Sequence, residues 1–271
     1  MRQQPRGDSR GILHPGRLLR QVRFRRHLPA PALRPWVEHY WFVDWDLTEP
    51  LEQQVVPHPA VNVVFQRDGD GPERAEVAGV GLKLFSITLS DTGRVSGVQF
   101  RPGGFHPFWG GSVAELTGRR WPFPDLADRW PRARDHTGGA CDGTDTERRR
   151  VLDGLLTGWA PEPDPVTDEV IRLVGEIRSD RTVLRVDAFA RRHGLTTRRL
   201  QRLFLDRVGV GPKWVIRRYR LQEAIEQAAG GPPPDWARLA ADLGYSDQAH
   251  LIREFTAVTG TSPAAYARSL G

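Results

Sequence analysis

The sequence predicts an α+β chain. A β-rich, barrel-like N-terminal domain with flanking helices comes first, followed by an all-α domain of two helix-turn-helix units joined by a linker helix. Three observations carry this reading. One pattern is written twice in the C-terminal third, as FARRHGLTTRRLQRLFLDRVGVGP (Phe189–Pro212) and LAADLGYSDQAHLIREFTAVTGTSP (Leu239–Pro263). Upstream, the short β-branched or alternating runs VVPHPAVNVVFQ, GLKLFSITL and RVSGVQFRPGG are bounded by turn residues, as strands are. Between the two regions lies PEPDP (Pro161–Pro165), a proline-rich hinge.

The elements follow in chain order. Residues 1–27 hold eight Arg and one Asp, and read as a solvated, disordered tail or a basic arm. Residues 28–160 make the N-terminal domain, opening on an aromatic-rich stretch with Trp36, Tyr40, Trp41, Phe42 and Trp45. SVAELTG and DLADRW look like short helices, and TERRRVLDGLLTGWA at residues 146–160 like a longer one. Residues 161–165 are the hinge, and residues 166–271 the helical domain.

Each copy of the repeat has a physical reading. Ala190 and Ala240 are small enough for two helices to approach closely, and each lies four residues before a turn glycine, Gly194 or Gly244. Thr196 or Thr197, and Ser246 or Asp247, can cap the next helix. Leu200/Phe204 and Leu251/Phe255 are i, i+4 pairs for the buried face. The opposite face then carries Arg198, Arg199, Gln201 and Arg202 in the first copy, and Gln248, Ala249, His250 and Arg253 in the second. Arg and Gln have planar forks that match base edges in the major groove.

With these features in place, residues 166–270 resemble the AraC/XylS family of bacterial transcription regulators. The second copy, GYSDQAHLIREF followed by TGTSPAAYAR, lies close to that family's signature. The resemblance implies two helix-turn-helix units on one long helix, here PKWVIRRYRLQEAIEQAA (Pro212–Ala229). It implies double-stranded DNA as partner, read by Arg198 and Arg202 in the first unit and by Gln248, Ala249, His250 and Arg253 in the second. Ala249 departs from the arginine at its counterpart, Arg198, and offers only a methyl group, which leaves polar readout there to Gln248 or His250. YWFVDW, PHPAVNVVF, the VAGVG turn and QFRPGGFHPFWG together resemble an uncharacterised N-terminal domain carried by many actinobacterial AraC-type regulators. That implies a small-molecule effector or a dimerisation role, names no ligand, and leaves RNA polymerase and a second copy of the chain open as partners.

Charge refines the division of labour. Residues 181–220 hold twelve Lys+Arg against two Asp+Glu, while residues 221–271 hold three Arg against six Asp+Glu. Phosphate attraction therefore concentrates in the first unit and the start of the linker helix. The formal net charge of +6 suits an acidic polymer. Only Lys83 and Lys213 are lysines; an arginine excess of this kind looks like a GC-rich coding bias, so arginine count alone carries little.

In the N-terminal domain, five residues are candidates for an effector site. Arg101, His106 and Trp109 flank the glycine pair of RPGGFHPFWGG, His58 precedes a proline near a strand end, and Asn62 interrupts an apolar strand. Each also has an ordinary structural reading: a packed glycine turn, two structural histidines and a satisfied core amide. Two histidines without a third ligand at fixed spacing are a weak metal signal, and no metal or cofactor is expected.

Neither a nucleophile elbow nor a P-loop nor a cysteine-rich cluster is present, so an enzyme is not the expected reading. The single cysteine, Cys141, allows no internal disulfide and fits a reducing cytosol. No apolar run approaches membrane-spanning length, so a cytoplasmic, DNA-associated protein is expected. Two functions follow: an effector-responsive transcription regulator, or a DNA-binding protein whose N-terminal domain serves only dimerisation or protein contact.

Overall fold

The computed structural model describes residues 11–134, 138–159, 161–229 and 234–270. The N-terminal part opens with helix α1 (Pro15–Gln21) and continues through β1 (Val22–His27), β2 (Val37–Asp46), β3 (Leu51–Val55), β4 (Asn62–Asp68), β5 (Arg74–Ala78), β6 (Phe85–Leu89) and β7 (Thr92–Phe100). The one-turn helix α2 (His106–Trp109), the short strand β8 (Arg120–Pro122), a second one-turn helix α3 (Phe123–Leu126) and the long α4 (Asp145–Trp159) complete it. Six strands form one antiparallel sheet in the order β1-β2-β7-β4-β5-β8, and β3 pairs with β6 in a separate ribbon. The barrel-like expectation therefore resolves as two sheets, with β1 and β8 as open edges of the larger one.

The period-2 alternation of β2 sets the layers. Tyr40 and Phe42 point to the face covered by α4, where Leu152, Leu156 and Trp159 join them in one core with Phe65, Val98, Phe100, Phe123 and Trp130. Trp45, Val64 and Val95 point to the other face, against Leu51 and Leu89 of the ribbon and Leu18 of α1. A buried guanidinium fastens α4 to the sheet. Arg148, 1% exposed, donates to Asp44 at 2.6 Å, to Ser96 Oγ at 2.9 Å and to the Val95 carbonyl, and lies 4.2 Å from the centre of the Phe42 ring. Each of its three guanidinium nitrogens thus has an acceptor, which is what makes a buried charge tolerable. Tyr40 adds a hydrogen bond from its hydroxyl to Asp153 on α4 at 2.7 Å.

The Arg-rich start departs from the expected tail. Residues 1–10 lie outside the described residues, but α1 and β1 occupy Pro15–His27. The physical reason is ion pairing: Arg25 donates to Asp145 at 3.0 Å through Nε and meets Asp44 at 2.6 Å, and His27 Nε2 lies 3.0 Å from Asp145. These side chains are spent on the fold and do not form a free basic arm. Sequence alternation also overran β4: Pro57 and Pro59 keep residues 56–61 out of the sheet. SVAELTG forms a 3₁₀ turn, Val113–Leu116, and the helix expected at DLADRW is the single turn α3.

The helical part contains α5 (Pro165–Ser179), α6 (Val186–Arg192), α7 (Thr197–Arg207), α8 (Pro212–Ala229), α9 (Trp236–Asp242), α10 (Gln248–Thr259) and α11 (Pro263–Arg268). Asp164 caps α5 by accepting from the Val166 amide at 3.0 Å, and Pro165 takes its first position. Two cores flank α8. Val170, Leu173 and Ile177 meet Phe189, Leu200, Phe204 and Val215 on one side. Leu221, Ala224, Ala240, Leu251, Phe255 and Tyr266 meet on the other. Both cores reach into the N-terminal part, through Val80 in the first and through Leu13 and Val56 in the second.

Candidate nucleic-acid interface

Each helix-turn-helix unit is built as its spacing requires. In the first, Gly194 ends α6 at φ +65°, and the Thr196 side chain accepts from the Arg199 amide at 3.2 Å to start α7. In the second, Gly244 sits at φ +76° after α9, and Asp247 accepts from the His250 amide at 2.7 Å to start α10. Leu200, Phe204, Leu251 and Phe255 are fully buried, which turns the opposite faces of α7 and α10 outward.

On α7 the outward face carries Arg198, Arg199, Gln201 and Arg202, all exposed. Among the described residues none of these three arginines has an acidic partner. Other arginines nearby are already paired: Arg192 bonds Glu176 at 3.0 Å and Asp180 at 2.8 Å. On α10 the exposed set is Gln248, Ala249 and Arg253. His250 is different. Its Nδ1 lies 3.1 Å from Ser246 Oγ, its ring stands edge-on to Tyr245, and its Nε2 is 4.0 Å from Glu254. Glu254 in turn takes a 2.6 Å salt bridge from Arg217 of α8. The imidazole is engaged within its own unit, which leaves Gln248 as the polar side chain free beside Ala249.

Residues 189–269 match a family described as a helix-turn-helix domain. The C-terminal region is an AraC-type helix-turn-helix domain. Residues 25–122 match a domain of unknown function (DUF6597). A search of curated proteins finds no match. Among solved structures, ToxT from Vibrio cholerae is similar at 10% identity and a TM-score of 0.41, covering 92% of this chain and 98% of that one. A second structure of ToxT, the apo form of a point variant, is similar at 11% identity and a TM-score of 0.42, covering 86% and 98%. A third, ToxT from the same organism with an unsaturated fatty acid bound, is similar at 12% identity and a TM-score of 0.40, covering 98% and 97%.

The AraC-type domain is clasped by the N-terminal part at several polar contacts. Thr117 donates its hydroxyl proton to the Gly209 carbonyl at 2.8 Å, just past the end of α7. Arg207, in the last turn of α7, bonds Asp164 and Thr167 and lies 3.0 Å from His106 Nδ1; Asp206 lies 3.5 Å from His106 Nε2. Arg178 of α5 bonds Glu38 of β2 at 2.6 Å, and Tyr219 of α8 lies 3.4 Å from His58 Nε2. Arg218, 5% exposed, donates to the Leu82 carbonyl at 3.3 Å; burial lowers its pKa to about 10, so it stays charged.

Electrostatics at the clasp follow from burial and neighbours. Burial alone would raise the Glu38 carboxyl, but the nearby His58 and Arg178 charges outweigh it and hold it at about 2. Burial, followed by the Arg26 charge, lowers the His39 pKa to about 3, which keeps that ring neutral. The His106 ring is also lowered, first by burial and then by Arg207.

The five candidate effector residues are not gathered at one place. His58 and His106 face different helices of the AraC-type domain, α8 and α7. Arg101 Nε donates to the Arg34 carbonyl at 2.8 Å, and Trp109 is buried in the main core beneath the Arg129 guanidinium, 4.9 Å from its ring. Asn62 accepts from Trp41 Nε1 at 3.2 Å. Among the described residues no group of three metal-ligating side chains occurs. Cys141 is buried, its thiol donating to the Phe65 carbonyl at 3.4 Å; burial, then the Glu73 charge, pushes its pKa up to about 12, far from a reactive thiolate. The structure adds what sequence reasoning missed. His39, Gln99 and Asn62 are register partners across β2, β7 and β4, forming a polar row on one face, and Glu38 links that row to Arg178. Asn62 stands out in the sequence, but the strand register is needed to join it to His39 and Gln99.

Proposed function

We propose that this AraC-type DNA-binding protein is a sequence-specific transcription regulator that lays α7 and α10 in two successive major-groove segments. The observation that carries the reading is the pair of outward faces held by one helix. Arg198, Arg199, Gln201 and Arg202 on α7, and Gln248, Ala249 and Arg253 on α10, are exposed on units that both pack on α8. Helices so joined suit segments about 34 Å apart on one side of the duplex. His250 acts here by stiffening the start of α10, and Gln248 supplies the polar readout.

The N-terminal domain controls how these faces are presented. A small-molecule effector bound by that domain acts on the first unit through the Glu38–Arg178 contact. Such a ligand shifts the equilibrium between clasped and released arrangements by its difference in affinity for the two. A second reading, in which the domain serves only dimerisation or protein contact, is favoured by His58 and His106, which are given over to interdomain contacts. RNA polymerase and a second copy of the chain are the protein partners in either case. Selection of genomic fragments by the full-length protein at moderate salt tests the function. A motif spanning two adjacent major grooves supports it, and retention without any motif overturns it.

A further inference from the structure

The exposed face of α7 holds one residue that the arginine pattern does not account for. Leu205 is 48% exposed, although α7 buries Leu200 and Phe204 completely. Its position on the helix is the reason. Leu205 lies three residues after Arg202 and seven after Arg198, so all three share one outward stripe, with Leu205 on its flank. Several large apolar side chains are exposed among the described residues, and Leu205 is the one set in this face, which charged or polar residues otherwise fill. Two turns of helix, about 10.5 Å, separate Arg198 from Leu205. A helix lying along the major groove carries a stretch of that length over about three base-pair steps of roughly 3.4 Å, so the leucine faces base edges beside those met by the arginines.

We infer that Leu205 is a third base-reading residue of the first unit, one that recognises a thymine by packing on its C5-methyl group. The major groove presents that methyl as its one apolar feature, and an aliphatic side chain is its natural partner. The second unit supports the assignment. By the repeat spacing Arg202 corresponds to Arg253, Arg198 to Ala249 and Leu205 to Thr256. Each recognition face therefore has an arginine in the middle position, suited to guanine, and at least one methyl-bearing neighbour, suited to thymine: Leu205 in the first unit, Ala249 and Thr256 in the second. The two units differ in order: Arg–Arg–Leu along α7, Ala–Arg–Thr along α10. The recovered site should then hold a guanine and a thymine within one or two steps of each other in each groove segment, without being a simple repeat.

This inference rests on the DNA-reading function proposed above, and its test separates the two. Each thymine of the selected site is replaced in turn by deoxyuridine, which removes only the methyl group. The full-length protein and its Leu205→Ala variant are compared on each duplex, with thermal unfolding as the check that the exposed substitution leaves the fold intact. At one position deoxyuridine should weaken the parent protein about fourfold, the worth of one buried methyl. Leu205→Ala should bind the thymine and deoxyuridine versions of that position equally. A variant that keeps the full penalty at every position overturns the inference. So does a variant that binds DNA as the parent does but differs from it in its effect on transcription by purified RNA polymerase, which would assign Leu205 to a protein contact. If no site is recovered at all, the proposed function fails first and this assignment falls with it.

Discussion

The two helix-turn-helix units share a spacing but stand in different surroundings, and the glycines after their recognition helices show it. Gly209 has φ +92°, and a Cβ there would stand 2.6 Å from Thr117 Oγ1 of the N-terminal domain. Gly260 has φ +79° and nothing within 4 Å. In the second unit glycine serves the turn alone; in the first it serves the turn and the close approach of another domain. The contacts differ in kind as well. The last turn of α7 is held by polar bonds through Arg207, Asp206 and His106. The second unit meets the N-terminal part through the apolar Leu13 and Val56 and the His14 ring against Tyr266, away from the face of α10. A repeated pattern thus preserves local geometry while context makes only one recognition helix answerable to polar changes next door.

The largest effects should be those the units share. Phe204→Ala and Phe255→Ala each remove a fully buried ring and should each cost about 3–5 kcal/mol in chemical unfolding. A much cheaper loss in either would mean that its core is less closely packed than its twin. Next come the exposed arginines. Arg202→Ala and Arg253→Ala should each weaken binding to the selected site by about 1–3 kcal/mol and relax one base pair. The comparison sharpens on random DNA: only the first-unit change should weaken that binding, because positive charge is concentrated there. Equal losses on all sequences for Arg253→Ala would make it a phosphate contact.

Smaller still is the cap. Thr196→Ala removes the side-chain acceptor of the Arg199 amide and should cost about 1 kcal/mol, read as faster hydrogen exchange in the first turn of α7 alone. The subtlest effect is on pH. Because the Glu38 carboxyl is held at about 2, below its ordinary 4.5, its contribution is complete above the ordinary value and fades as pH falls toward 2. Glu38→Gln should remove that part of the acid slope of stability and loosen the first unit more than the second, measured by hydrogen exchange between about pH 5 and about pH 2.5. Equal loosening of both units would break the contrast drawn between them.

Much of the helical region was legible in the sequence because its determinants are local. Gly194, Thr196, Leu200 and Phe204 specify a turn, a cap and a buried stripe within one stretch of chain, and α8 follows directly at Pro212. The sheet was less legible because its determinants are distant. Arg25 of β1 reads as part of a tail until Asp44 and Asp145 are brought beside it. Likewise, the contacts of His250 with Tyr245, Ser246 and Glu254 are not evident until the turn before α10 is built. The candidate effector residues share chemistry but not partners: Asn62 is taken by Trp41, Arg101 by the Arg34 carbonyl, and Trp109 by the main core.

The connector between α4 and α5 has a consequence for energetics. Five residues separate Trp159 from Pro165, enough to span about 20 Å at most. A connector this short keeps each part at an effective concentration in the millimolar range as seen by the other. Contacts far too weak to join two separate proteins can then keep the clasp closed most of the time. The same tether sets the scale for opening it: each tenfold shift in the balance takes only about 1.4 kcal/mol, within reach of a single small ligand.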